Sequence, residues 1–339
     1  MSYISNLSIN EDVLLFDLNN KSKDIKISLA NAIRRTIISD IATYVIDEKH
    51  ISFIENTSML NNEFLAHRLT LIPIVSNLKD INYDNIIISC KKKNESENME
   101  SVYVKDFECK DGETGEIINN DLIFKYPNIL FGKLRNGNVL SFESKLTQNN
   151  SEYGGSFFCP VSTCVYTFKI DTQKVKEMTD ELNESEKRTF NLQNNERVYL
   201  RNDDGEPETY QFKLESIGFF EPVEIVKLGI NALIIKLLNT KFELSNKNKE
   251  SRIKLIDESD FFVFSIDHEN ETLGNLLSTY LTYDKNVYYS GYVIEHPLKH
   301  NIVLKIKLNT NNNLETVINT INSSIDFIID LLEKISSEF

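Results

Sequence analysis

The sequence predicts an α+β fold: two dimerisation modules in one chain, paired with each other as an intramolecular pseudo-heterodimer, the first interrupted by a mostly β insertion. Three observations predict it. "ISLANAIRRTI" (Ile27–Ile37) and "ETLGNLLSTYL" (Glu271–Leu281) write the same helix start twice: Ser or Thr, Leu, Ala or Gly, Asn, any residue, then Ile or Leu. Each is followed further along by a helix with apolar residues stepping by threes and fours. The first seam is Val223, Val226, Ile230, Leu233 and Leu237; the second is Leu314, Ile318, Ile321, Ile325, Ile328, Leu332 and Ile335. Between 85 and 205, short apolar runs ("NIIIS", "SVYVKDF", "DLIFKY", "VLSFES", "CVYTFKI") alternate with polar and Gly-containing turns, the texture of a β region. A lone module would expose its seam, whereas two modules can bury each other's around a pseudo-twofold axis.

The elements follow in order. Ser28 is placed to cap the first helix, whose stripe is Leu29, Ala32, Ile33, Ile37 and Ile41. Tyr44–Ser58 reads as a strand ending in a turn. Asn62 is placed to cap a second helix with Phe64, Leu65, Leu69 and Ile72 on one side, and Pro73 stops it. "KEMTDELNESEKRTF" suits helix or loop. Phe212 and Leu214 alternate in a strand, and Pro222 suits the first turn of the long helix after it. Ser245–Asp260 is polar and charged and reads as a linker. Beyond it come a strand at Phe262, Phe264 and Ile266, the echo helix from Thr272, two strands and the last helix. The expected division is therefore 1–84 with 206–244 as the first module, 85–205 as the insertion, 245–260 as the linker and 261–339 as the second module.

Composition narrows the functions. The 339 residues carry 37 Lys and Arg against 51 Asp and Glu, a formal net charge of −14. Such a chain is a poor stand-alone nucleic-acid binder, since phosphate contact requires cations. "KKK" at 91–93 runs into "NESENMES" and reads as a solvated loop. No apolar run reaches the length of a membrane span, and "MSYISNLSINEDV" has no signal-peptide pattern. Cys90, Cys109, Cys159 and Cys164 form no paired C-x-x-C frame, so reduced thiols are expected.

No catalytic constellation is present. His296 and His300 have a metal-binding helical spacing, but Pro297 lies between them and strands flank them, so an exposed turn is expected. Cys159 and Cys164 supply two thiols where a tetrahedral zinc site needs four ligands. Asp203-Asp204-Gly205 reads as a turn, and Gly132-Lys133 lacks the rest of a phosphate-binding loop.

The strings Leu29-Ala-Asn-Ala-Ile-Arg-Arg35, Glu55-Asn-Thr-Ser58 and Asn62-Glu-Phe-Leu-Ala-His-Arg-Leu69 with Leu71-Ile-Pro73 closely resemble the signature of the α-like subunits of multisubunit RNA polymerases: bacterial alpha, archaeal D and the third subunit of polymerase II. Gly132–Phe168 and Phe212–Leu233 are similar to that family's insertion and returning segment. Asp267–His300, through Thr272-Leu-Gly-Asn275, Gly291-Tyr292 and His296-Pro-Leu298, is similar to the small partner, the eleventh subunit or archaeal L. The resemblance implies both partners of the heterodimer fused in one polypeptide, as in some nucleocytoplasmic large DNA viruses. It implies a non-catalytic assembly platform for two large catalytic subunits and small accessory subunits, with DNA and RNA met only through the complex, no membrane contact and no homo-oligomer. For such a viral chain it implies the cytoplasmic factory and the virion as location, with the nucleus as the alternative. The expected internal interface comprises Leu29, Ile33, Ile37, Val226, Ile230, Leu233, Leu237, Leu273, Leu276, Leu277, Ile318, Ile321, Ile325, Ile328 and Leu332. Asn31, Arg34, Arg35, His67 and Arg68 are candidate contacts to a large subunit; for the arginines and His67 the alternative is a partner within this chain. Many family members hold zinc or an iron–sulfur centre in the insertion; with Cys90 and Cys109 alone there, no cofactor and no metal are expected. Two other readings stay open: a free-standing scaffold of this fold, and an enzyme with an unrecognised site in the insertion.

Overall fold

The computed structural model describes residues 2–77, 81–245, 252–258, 261–296, 298–309 and 313–339. Along the chain the elements are β1 (Ile4–Asn10), β2 (Val13–Asn19), α1 (Ile27–Ser39), β3 (Thr43–Asn56), α2 (Asn62–Thr70), β4 (Ile86–Lys93), β5 (Glu100–Tyr103), β6 (Glu108–Asp111), β7 (Ile117–Ile118), α3 (Asn120–Ile123), β8 (Leu130–Leu134), β9 (Val139–Asn149), α4 (Ser151–Gly154), β10 (Val161–Phe168), α5 (Thr172–Thr179), α6 (Glu184–Gln193), β11 (Thr209–Ser216) and α7 (Pro222–Ser245). The rest is β12 (Ile253–Glu258), β13 (Phe261–Asp267), α8 (Glu271–Thr282), β14 (Val287–Val293), β15 (Asn301–Leu308) and α9 (Leu314–Ser337).

Two sheets have the same construction. One is ordered β1-β2-β11-β10 and the other β12-β13-β15-β14, with antiparallel neighbours throughout. In each, two paired strands lead to a helix, two more strands return, and a long helix follows. We call the first ββαββα unit module 1 and the second module 2. Alternation directs one face of each sheet inward: Leu14, Phe16, Leu18, Phe212 and Leu214 in module 1, and Phe264, Ile266, Ile302, Leu304 and Ile306 in module 2, are all buried.

The third large sheet, β3-β9-β4-β6-β7, belongs to the insertion, whose core holds Phe107, Phe131 and Phe142 in edge-on and tilted contacts. Sheet membership departs from the sequence ranges in two places. β3, counted with the first module, pairs along its length with β9 of the insertion. β10, counted with the insertion, pairs with β11 in module 1. Local patterning marks a strand but does not choose its partner. The chain therefore leaves module 1 twice, between α1 and β10 and again between β10 and β11.

Several local expectations shift. α1 begins at Ile27 after Lys26, which makes no side-chain cap, and Ser28 Oγ is buried without a hydrogen-bond partner. Asn61, one residue ahead of the expected Asn62, caps α2 by accepting from the Phe64 N–H. "DLIFKY" holds the short helix α3, not a strand. "KEMTDELNESEKRTF" resolves into the end of α5 and the start of α6, two helices with no buried residue. The second half of the expected linker is β12, the edge strand of module 2; residues 246–251 and 259–260 lie outside the described residues. The charges on β12 read as linker, yet an edge strand tolerates and even favours them.

Candidate functional site: the four-helix layer between the modules

Four helices meet between the sheets. α1 packs on α7 and α8, and α9 packs on α7 and α8. Leu29, Ile33 and Ile37 of α1, Val226, Ile230, Leu233 and Leu237 of α7, Leu273, Leu276 and Leu277 of α8, and Ile321, Ile325, Ile328 and Leu332 of α9 are buried there; Ile318 is half-buried at the margin. All belong to, or pack against, a single apolar cluster that runs through both modules and the insertion. Burying each such side chain contributes about 1.5–3 kcal/mol, so the layer is a core and not a lubricated contact. Gly229 shows how tight it is: a Cβ there would lie 2.4 Å from Ile37 Cγ1 and 3.2 Å from the Ile37 Cα.

Polar ties fix the register. α1 and α8 run antiparallel, since Arg35 near the end of one meets Glu271 at the start of the other, at 3.6 Å. At the opposite end the Tyr280 hydroxyl donates to the Asp24 carbonyl at 2.8 Å and accepts from the Lys26 N–H at 3.5 Å. A side chain of module 2 thus serves the start of α1, which lacks a cap of its own. The Lys26 ammonium also lies 3.7 Å from the Tyr283 ring centre. Each long helix ends on the other module. Glu338, just after α9, accepts from the Tyr3 and Ile4 N–H groups beside β1, and Phe339 packs edge-on against Phe16. Glu243, near the end of α7, accepts from the Arg252 N–H just ahead of β12.

The five candidate large-subunit contacts separate into different environments. Arg34 is held on its own helix by two hydrogen bonds to Asn31 Oδ1, at 3.1 and 2.9 Å. Arg35 takes the partner within the chain just described. Arg68 donates to the Leu130 and Phe131 carbonyls at 2.6 and 3.0 Å, tying α2 to β8. His67 is exposed. The Glu55–Ser58 string is a structural knot: Asn56 donates to the Leu60 carbonyl and accepts from Ser58, turning β3 into α2.

Sequence reasoning missed a charged cluster at the rim of the layer. Lys236 Nζ on α7 lies 3.0 Å from Asp40 at the end of α1, 3.7 Å from Glu152 of α4 and 3.6 Å from Glu269 of the β13–α8 loop. Module 1, the exit of the insertion and module 2 converge on this one ammonium. Burial pushes the Glu269 carboxyl up to about 7, the pull of Lys236 notwithstanding. Burial also works against the Lys236 charge, but Glu269, Asp40 and Glu152 outweigh it and hold its pKa above the ordinary value. The available signal was a lone Lys inside the apolar run "NALIIKLL".

Cys90, Cys109, His296 and His300 sit apart from this layer. Cys90 and Cys109 lie on β4 and β6, where burial raises their pKa values to about 11 and about 12, keeping both protonated. Two thiols are fewer than the four ligands of a tetrahedral zinc or iron–sulfur centre, and among the described residues no group of three or more His, Cys, Asp or Glu converges as a metal site. His296 and His300 are exposed in the β14–β15 connection, with Pro297 outside the described residues. Asp203, Asp204 and Gly205 form a turn in which Asn202 Oδ1 accepts from two N–H groups, and Asp203 meets Lys23 at 3.1 Å.

Comparison with known proteins agrees with this geometry. The pattern of the RNA polymerase Rpb3/Rpb11 dimerisation domain matches residues 21–237 and, separately, 262–338. The chain is similar to DNA-directed RNA polymerase subunit Rpo3 of Thermococcus kodakarensis, 33% identical over 35% of this chain and 44% of the relative. It is also similar to DNA-directed RNA polymerase II subunit rpb3 of Dictyostelium discoideum, 33% identical over 43% of this chain and 42% of the relative. Subunit 3 of the Arabidopsis thaliana RNA polymerases II, IV and V is 25% identical over 53% of this chain and 60% of the relative. The chain spans about half the length of the curated relatives it matches. With one dimerisation-domain pattern covering most of module 1 with its insertion and a second covering module 2 from β13 onward, the chain belongs to the RNA polymerase Rpb3/Rpb11 dimerisation domain family.

Proposed function

We propose that this chain is a non-catalytic assembly subunit of a DNA-directed RNA polymerase that carries both partners of the dimerisation pair in one polypeptide, an intramolecular pseudo-heterodimer. The observation that carries this reading is the doubled ββαββα topology with the four helices packed between the two copies. The cross-docked helix ends at Glu243 and Glu338 support it, because each module is completed by the other. The chain recruits the two large catalytic subunits and small accessory subunits, meets DNA and RNA only through them, and needs no second copy of itself. Fusion makes pairing intramolecular, at an effective concentration on the order of millimolar, and sets a one-to-one ratio.

Native mass spectrometry of the complex purified through a tag on the full chain tests the proposal. One copy of this chain with two much larger polypeptides is expected; a chain that purifies alone or only with itself overturns it.

A further inference from the structure

We propose that the outer side of α7, with the acidic cleft beside it, is a docking site for a basic amphipathic helix of a protein partner. The inference rests on the reading of the chain as an assembly platform and adds the chemistry of one contact.

The seam of α7 faces the layer, but a second apolar stripe faces away from it. Ile235, Leu238 and Phe242, spaced by three and four, are 49%, 48% and 65% exposed. Along one edge of this stripe runs a cleft of about 280 Å³, lined by Ile235, Lys236 and Asn239 of the same helix and by Asp40, Glu152 and Glu269 beside it. The stripe and the cleft are thus one continuous surface.

Charge selects the occupant. Asp40, Glu152 and Glu269 face the Lys236 ammonium, and the Arg252 guanidinium, 3.9 Å from Glu243, also attracts Glu269, so four carboxylates meet two cations here. The Glu269 side chain is 6% exposed, yet its Oε2 receives no hydrogen bond and has Lys236 only at 3.6 Å. A buried carboxylate oxygen without a donor is costly, and a lysine or arginine reaching into the cleft supplies that donor. An apolar stripe beside an acidic recess fits a helix with apolar anchors one turn from a cation. The carboxyl of Glu269, raised to about 7 by burial, fits the same picture: an incoming cation favours its ionised form, so docking strengthens from pH 6 to pH 8. The charged and titratable side chains that face Glu269 in this cleft are Asp40, Glu152, Lys236, Arg252 and His268.

The test uses the tagged full chain with the photo-crosslinker p-benzoylphenylalanine in place of Phe242. Recovery of the two large chains reports the assembly reading; the crosslink reports this surface. The expected result is an adduct to one partner polypeptide, mapped to a segment with Lys or Arg within about one helical turn of apolar residues. Glu269→Gln, with circular dichroism unchanged, should lower the adduct yield about tenfold or more. The proposal is overturned by recovery of the large chains without an adduct, by an adduct to a second copy of this chain, by an adduct in a segment without a cation, or by a yield indifferent to Glu269→Gln. Loss of the large chains with a basic adduct retained overturns the assembly reading and leaves this surface standing; loss of both overturns both.

Discussion

In module 2 residues 283–286 connect α8 to β14, whereas in module 1 the corresponding passage from α1 to β10 contains the five-stranded sheet of the insertion. The two modules nevertheless keep one strand order. The reason lies in the insertion's own sheet. β3 enters it and β9 leaves it, and Thr43 pairs with Asn149, so entry and exit are neighbours. A folded insert with adjacent ends replaces a turn without straining the host. The starts of the two echo helices differ as well. α8 has a local cap, Asn270 accepting from the Thr272 N–H, whereas α1 depends on Tyr280 of the other module. Module 2 contains its own helix start, and module 1 borrows part of one.

Separating the modules is the most severe way to break this comparison. Residues 1–245 and 252–339 produced apart should aggregate, because the buried faces of α1, α7, α8 and α9 become solvent-exposed; produced together they should elute as a one-to-one complex by size-exclusion chromatography with light scattering. A soluble, monomeric 252–339 with native helicity would show that module 2 does not need its twin.

Glu269, from the loop ahead of α8, is the next lever. Its carboxyl titrates at about 7 in the folded chain and at about 4.5 in the unfolded one. The folded state therefore holds the proton more tightly, and stability is lost as pH rises from about 4.5 through 7. Glu269→Gln cannot suffer that loss. Relative to the native chain it should gain on the order of 2–3 kcal/mol between pH 5 and pH 8 in urea titrations. A gap that stays constant with pH would place the Glu269 carboxyl at its ordinary value.

The glycines of the two modules sharpen the contrast in packing. Gly229→Ala pushes a methyl onto the α1 backbone at Ile37 and should cost about 1–3 kcal/mol. Gly274→Ala meets only side chains, with the Tyr292 ring at 2.7 Å the nearest, and its counterpart in the echo is already Ala30. It should cost less than Gly229→Ala, about 1–2 kcal/mol, since the Tyr292 side chain, whose Cγ also lies at 2.9 Å, must shift as a whole, but no backbone atom is in the way. Equal urea midpoints for the two variants would refute this ranking.

The smallest effect belongs to the Arg35–Glu271 pair across the modules. Its side chains are 37% and 50% exposed, so a double-mutant cycle with alanine should give a coupling below about 1 kcal/mol, decreasing with salt. A larger coupling would mean that charge, not apolar burial, sets the register of α1 on α8.

Much of this was legible. The echo "SLANAI" and "TLGNLL" gave two helices of one kind, and the seams of α7 and α9 gave their buried faces, because periodicity follows directly from helix geometry. The insertion was recognisable as β by its short alternating runs. The sheet membership of β3 and β10 was not legible, nor was the strand in the expected linker. Alternation reports which face is buried and says nothing of which strand lies alongside. Arg35 and Arg68 show the same limit, since a cation in a motif does not disclose whether its partner lies in the chain or outside it.

By itself, then, the sequence determined that this protein has two related modules and two long helices with apolar seams, since each of these rests on local spacing and residue type. Only the tertiary structure decided that the strand orders coincide, that each long helix ends on the other module, and that Lys236 gathers Asp40, Glu152 and Glu269. Those features join residues far apart in the chain, and their physical basis, hydrogen-bond partnership and desolvation, exists only once the chain has folded.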